Sequence, residues 1–238
     1  MGTLQSEDTA GRRVVVVSPH LDDGVLSLGA SIASWSRTGS TVELLTVLGC
    51  DPDSAAPAGG WDRRGGFATE GDSARARREE DRRACAVIGA TPRWLPFGSV
   101  DYERHGDEAD VRRAVAGATD GADLALVSGF PLTHPDHEWL TRTLAVSLLG
   151  CPVVALYAEQ PYTVRSGDEP RVPAWVSEAV GAVSTFEPTR TELRDRLAKW
   201  RAIRQYRSQL PLLGMRRNLR RGALRYALAS EWVARSRD

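Results

Sequence analysis

No stretch of this 238-residue sequence approaches the roughly 18 consecutive apolar residues of a membrane-spanning helix. The first eleven residues are polar. Glu7 and Asp8 stand where a secretion signal would carry positive charge ahead of an apolar stretch, so residues 1–11 read as a flexible N-terminal arm. Cysteine is scarce: Cys50, Cys85 and Cys151 lie far apart, with no C-x-x-C pair. That argues against a disulfide framework and for a reducing, cytoplasmic setting. Net charge is missing too, since 31 basic residues balance 31 acidic ones and leave no global attraction to nucleic acid or an anionic membrane. Lysine is almost absent, Lys199 being the only one, and the arginine excess reads as base composition rather than nucleic-acid binding. What remains, 42% hydrophobic and 26% charged, is ordinary globular material for a single domain over residues 1–238.

The four valines at 14–17 form a short continuous apolar run, the mark of a strand buried on both faces. Further strands are expected at 41–48, 91–95, 124–127 and 152–157. Between them fall helical patterns: one closed by Gly39, one from Asp72 or Ser73 to Gly89, then 111–118 and 136–149. Residues 49–71 lack any period and read as a long loop, as do 165–173. Two arginine-rich amphipathic helices, 192–206 and 217–234, close the chain. Strands alternating with helices predict an α/β, Rossmann-like architecture, a mostly parallel sheet with helices on both faces. Residues 12–160 would form its core and 161–238 complete it. In such sheets ligands bind beyond the carboxyl ends of the strands, so the residues just after strands carry the most information.

Two of those places hold three of the four histidines. Pro19-His20-Leu21-Asp22-Asp23 follows the first strand, and His134-Pro135-Asp136-His137 follows the fourth. Each alone has a plainer reading. An aspartate after a strand is often the N-cap of the next helix, and histidines three apart share a helix face for many reasons. Together they supply imidazole nitrogen and carboxylate oxygen at two loops the fold would bring to one edge, the ligand chemistry of a catalytic zinc site.

These motifs resemble the PIG-L/LmbE-like family of zinc-dependent N-deacetylases, which act on N-acetylglucosamine-type sugars and their conjugates. The likeness extends to Arg77 and Glu80 in the helix ending Ile88-Gly89-Ala90, and more loosely to Tyr157-Ala158-Glu159-Gln160-Pro161-Tyr162. It implies that His20, Asp23 and His137 bind zinc and that Asp22 is the general base. It also implies that a protonated His134 faces the developing oxyanion, with Asp136 tuning it. The sequence departs from the family pattern at Leu21 and Gly24, where proline and glutamate are common, and at residues 131–133 ahead of the second motif. Those departures bear on the substrate more than on the chemistry.

Arg77, Asp101, Trp61 and Arg64 are expected to bind substrate, with Asp51, Asp53 and Arg63 as further candidates in the long loop. Aromatic faces suit sugar rings and arginines suit anions. Their plainer readings are an Arg77–Asp81 pair, a turn role for Asp101 and a merely solvated loop. His105 reads as solvated and Cys50 as a small buried residue. The expected partner is a small amino-sugar substrate, with a possible homo-oligomer contact through the C-terminal helices. The expected function is removal of an acetyl group from an N-acetylated amino sugar or sugar-bearing conjugate. Two alternatives stay open: deacylation of another N-acyl group on a natural-product intermediate, and a catalytically silent metal-binding module. A nucleotide-binding role is disfavoured because no glycine-rich phosphate loop follows the first strand.

Overall fold

A computed structural model describes residues 6–102, 107–145, 151–180, 183–215 and 219–235. Seven strands form one sheet: β1 (Arg13–Ser18), β2 (Thr41–Thr46), β3 (Thr91–Trp94), β4 (Leu124–Phe130), β5 (Val154–Ala158), β6 (Glu187–Pro188) and β7 (Trp232–Arg235). Their order is β3-β2-β1-β4-β5-β7-β6; β1 to β5 run parallel, and β7 lies antiparallel to both of its neighbours. The helices are α1 (Ser6–Thr9), α2 (Asp23–Arg37), α3 (Gly60–Arg64), α4 (Glu70–Ile88), α5 (Glu108–Thr119), α6 (Pro135–Ala145), α7 (Tyr162–Ser166), α8 (Ala174–Val180), α9 (Leu193–Ile203) and α10 (Leu219–Leu228).

Pleat and cover explain the valine run. Val14 and Val16 pack with Leu26 and Ile32 of α2, Ile88 of α4 and Ile203 of α9. Val15 and Val17 point the other way, toward Val111 and Val115 of α5 and Val176 of α8. Both faces of the strand are therefore roofed by helices, and all four valines are buried. Burial of such a side chain is worth roughly 1.5–3 kcal/mol.

Three expectations need correction. The segment 49–71 is not featureless: it contains α3, and the Ala58 N–H donates to the Ala68 carbonyl (3.0 Å) beside a bridge between Pro57 and Thr69. Helix α4 starts before Asp72, because the Thr69 hydroxyl caps it by accepting from the Asp72 N–H (3.1 Å). The 217–234 pattern is not one helix. Within it α10 ends at Leu228, and the chain then pairs with β5, burying Val233 on one face of the sheet and Ala234 on the other. Glu231 tethers that crossing by accepting from the N–H groups of Ala30 and Ser31 in α2, at 2.9 and 2.7 Å. The expected helix 136–149 appears as α6, with 146–149 outside the described residues, as is His105.

Candidate active site

β1 and β4 are neighbours at the centre of the sheet, and their following helices leave to opposite faces: α2 packs on the β2 side and α6 against α5 and α8. The gap opened where two crossovers diverge is where open α/β sheets bind ligands. Both sequence motifs flank that gap, and the carboxyl end of β5 closes its side.

The turn after β1 is shaped by Ser18, whose hydroxyl donates to the His20 carbonyl (2.6 Å) and accepts from the Gly24 N–H (2.9 Å). Gly24 is constrained there, for a Cβ would overlap Leu44 Cδ1 in the buried core. Asp22 occupies the N-cap position of α2 but makes no capping hydrogen bond, so its carboxyl is not consumed by the helix. Asp23 turns inward: its Oδ2 accepts from the His20 N–H (3.0 Å) and lies 3.1 Å from both His20 Nδ1 and His137 Nε2. The two ring nitrogens are themselves 3.1 Å apart. These three atoms form an equilateral triangle. A first-row divalent cation with ligands at about 2.0–2.2 Å holds neighbouring donors about 3.0–3.4 Å apart, so both the spacing and the N₂O donor set fit such an ion. His134 stands beside them, and the three histidines offer ring nitrogens all within 4.8 Å of one another.

Each histidine of the triangle is held from behind. Asp136 Oδ2 accepts from His20 Nε2 (3.1 Å), and Glu159 Oε1 lies 2.6 Å from His137 Nδ1. A proton on each of those rear nitrogens leaves the lone pairs of His20 Nδ1 and His137 Nε2 facing the triangle, the arrangement by which carboxylates orient metal-binding imidazoles. Asp136 also accepts from the Val100 N–H through both oxygens (3.1 and 3.2 Å), whereas it lies 3.9 Å from His134 Nδ1. The carboxylate expected to tune His134 is therefore engaged mainly with His20. His134 Nδ1 instead accepts from the Asp136 backbone N–H (3.2 Å).

Electrostatics follow from this packing. Burial opposes charge on His20, but Asp136 and Asp23 outweigh it and raise its pKa to about 9. His137, likewise buried, is lifted well above 6.5 by Asp23 and Glu159. Burial also disfavours the Asp23 anion, yet His137 and His20 hold its pKa well below the usual carboxylate range. Asp22 goes the other way: burial, then the neighbouring Asp23 charge, push it up to about 7. His134 is driven down to about 4 by burial and by the neighbouring His20 and His137. This environment works against the protonated His134 expected from the sequence, and with Nδ1 accepting from the Asp136 N–H a single ring proton sits on Nε2.

A cavity of about 470 Å³ opens onto this cluster, within the size range of small-molecule sites. Arg77, Asp101, Trp61 and Arg64 all line it. Two of these are already engaged in structure. Arg77 pairs with Asp62 (Nη2 to Oδ1, 2.5 Å) rather than with Asp81, while the Asp101 carboxylate accepts from the Trp61 N–H (2.8 Å) and caps α3. The Arg64 guanidinium lies 5.1 Å over the Trp61 ring. Arg63, Asp51 and Asp53 stay outside the lining, Arg63 donating to the Ala58 carbonyl (2.6 Å). Cys50 touches the cavity, but burial pushes its thiol up to about 12, away from the thiolate a nucleophile needs. Sequence reasoning gave no role to Glu159, whose only signal was the loose 157–162 segment, and none to Gln209.

Nearly all of the chain superposes on solved structures. The A40926 pseudoaglycone deacetylase Dbv21 superposes with a TM-score of 0.73 at 25% identity, covering 95% of this chain and 97% of that one. The zinc-inhibited form of the teicoplanin deacetylase Orf2 gives 0.68 at 23% identity, over 95% and 99% of the two chains. N,N'-diacetylchitobiose deacetylase from Pyrococcus horikoshii gives 0.55 at 18%, over 90% and 78%. No curated protein sequence matches. The profile of the GlcNAc-PI de-N-acetylase family, PIG-L, matches residues 15–147, more than half of the chain and all of both motifs, and the chain belongs to that family of de-N-acetylases.

Proposed function

We propose that this protein is a divalent-cation-dependent hydrolase that removes the acetyl group from an N-acetylated amino sugar carried on a larger conjugate. The observation that carries this reading is the 3.1 Å triangle of His20 Nδ1, Asp23 Oδ2 and His137 Nε2, with a buried, unengaged Asp22 carboxyl beside it at the end of a cavity. His20, Asp23 and His137 would hold the cation, and two imidazoles with one carboxylate are a ligand set that zinc accepts. Bound there, it would supply Lewis acidity toward the amide carbonyl and acidify a water molecule.

The rest of the chemistry falls to side chains of this chain. Asp22, a buried carboxyl that makes no capping hydrogen bond, takes a proton from the attacking water and returns it to the nitrogen of the departing amine. The C–N bond of the amide breaks, releasing acetate and the free amino sugar. His134 donates from Nε2 to the oxygen that becomes negative as water adds to the carbonyl, a contribution typically worth about 3–4 kcal/mol. Its neutral form suits this role, because the Asp136 N–H fixes the tautomer by occupying Nδ1. Asp136 and Glu159 act as positioning residues behind His20 and His137. Arg77, Trp61, Arg64 and Asp101 form the cavity wall that meets the substrate, Asp101 by fixing the Trp61 backbone.

The likeness to the A40926 pseudoaglycone deacetylase favours a conjugate over a free monosaccharide, as does a cavity whose wall includes Trp61, Val100, Leu212 and Leu213. Acetate release from a panel of N-acetylglucosamine conjugates by zinc-loaded protein tests the reading. Turnover that Asp22→Asn abolishes is the expected result; no acetate from any member would refute it.

A further inference from the structure

The chain after α9 meets α4 through two carboxylates one residue apart. Asp81 accepts from the Tyr206 hydroxyl (2.6 Å) and, through its other oxygen, from the Trp94 ring N–H (2.7 Å). Glu80 accepts from the Ser208 N–H and from the Ser208 hydroxyl, both at 2.8 Å. Residues 206–208 are thereby pinned, and the next residue is aimed. The Gln209 N–H donates to the Tyr206 carbonyl (3.2 Å), and its own carbonyl accepts from Leu212 and Leu213 (2.9 and 3.0 Å). The backbone of Gln209 is fully used. The residue is only 4% exposed, lines the cavity, and its Nε2 has no hydrogen-bond partner among the described residues.

A buried amide left unpaired lowers stability, and native structures keep few of them. Such local conflicts gather where function requires them. We infer that Gln209 is a substrate-recognition residue whose side-chain amide hydrogen-bonds hydroxyl groups of a sugar ring seated in the cavity. The chemistry selects that ligand. A primary amide presents a donor and an acceptor side by side with no charge, and adjacent sugar hydroxyls each both donate and accept. Leu212 and Leu213, on the same wall, offer an apolar surface to the C–H face of a ring. Glu80 and Asp81 are positioning residues for this contact. The same α4 thus faces the cavity with Arg77 and, one turn on, fixes the segment that carries Gln209.

This inference rests on the amino-sugar reading, and the test separates the two. With zinc-loaded protein, KM and kcat are measured for the methyl glycoside of N-acetylglucosamine, and Kd by calorimetry for the methyl glycoside of glucosamine. Loss of one hydrogen-bonded contact in Gln209→Leu should raise KM and Kd about tenfold and kcat should change less. The thermal midpoint of the ligand-free variant should equal or exceed that of the parent, since an unpaired amide has been replaced by a hydrocarbon of similar size. KM and Kd within twofold of the parent, or a clearly lowered midpoint, would overturn the assignment. Glucosaminide binding that depends on Gln209 without acetate release would uphold the recognition and defeat the deacetylase reading. Absence of both binding and turnover in the parent would overturn recognition of a bare sugar ring by Gln209, while the deacetylase reading stands or falls on the conjugate panel.

Discussion

Replacement of Glu159 by glutamine should weaken cation binding although Glu159 is not a ligand. Its carboxylate is fully buried, with Oε1 2.6 Å from His137 Nδ1 and Oε2 accepting from the Leu132 N–H at 3.3 Å. Glutamine preserves the volume but offers one oxygen and one NH₂ where two acceptors are needed. If the oxygen faces His137, the NH₂ confronts the Leu132 N–H, donor against donor. If the NH₂ faces His137, the imidazole proton must move to Nε2, onto the atom that points into the triangle. Either arrangement loses the negative charge that raises the basicity of the ring. Partners of this kind behind a ligand are typically worth about 10–100-fold in metal affinity, or about 1.4–2.7 kcal/mol. Competition with a chromophoric chelator at fixed pH measures the change directly. A zinc Kd for Glu159→Gln equal to that of the parent would refute the reasoning that His137 is oriented through this contact.

Three further outcomes are expected. Asp22→Asn should retain one cation per chain while turnover falls about 10²–10⁴-fold, because only the proton acceptor is lost; equal activity in an acetate-release assay would remove Asp22 from that role. Asp81, buried and raised to about 6, binds its proton more tightly in the folded than in the unfolded chain. Its contribution is therefore fully present below about pH 4 and is lost as pH rises toward 6, by about 3 kcal/mol at most. Denaturant midpoints across that range should fall for the parent relative to Asp81→Asn, and parallel curves would contradict the assignment. Gly24→Ala should destabilise by about 1–3 kcal/mol, since its Cβ meets Leu44 Cδ1 in a filled core, and an unchanged thermal midpoint would show that Leu44 gives way freely.

How much was legible follows from how local each signal is. The valines at 14–17 announce a doubly covered strand because burial on both faces removes the alternation a half-exposed strand would show. The two histidine–aspartate clusters stand directly after strands, so the topology alone brings them to one edge. Glu159 was illegible as a positioning residue because its partner is 22 positions away on a different strand end, and only the β4–β5 register brings them together. The Asp136 contact with His20 spans 116 positions and depends on how the His134 turn folds back, so adjacency to His134 misled. At the C-terminus a helical period ran on through residues 229–234, but the pairing of β7 with β5 and the Glu231 anchor on α2 are tertiary facts that override it. Gln209 gave no signal at all: a lone glutamine acquires meaning only from what fails to contact it.

Elemental analysis joined to mutagenesis tests the central claim most directly. Protein dialysed against zinc and then against buffer should carry one ion per chain. His20→Ala, Asp23→Ala and His137→Ala should each carry far less than one, while His134→Ala should still hold the full ion. Full occupancy in any of the first three variants, or its loss only with His134, would contradict the triangle as the cation's seat.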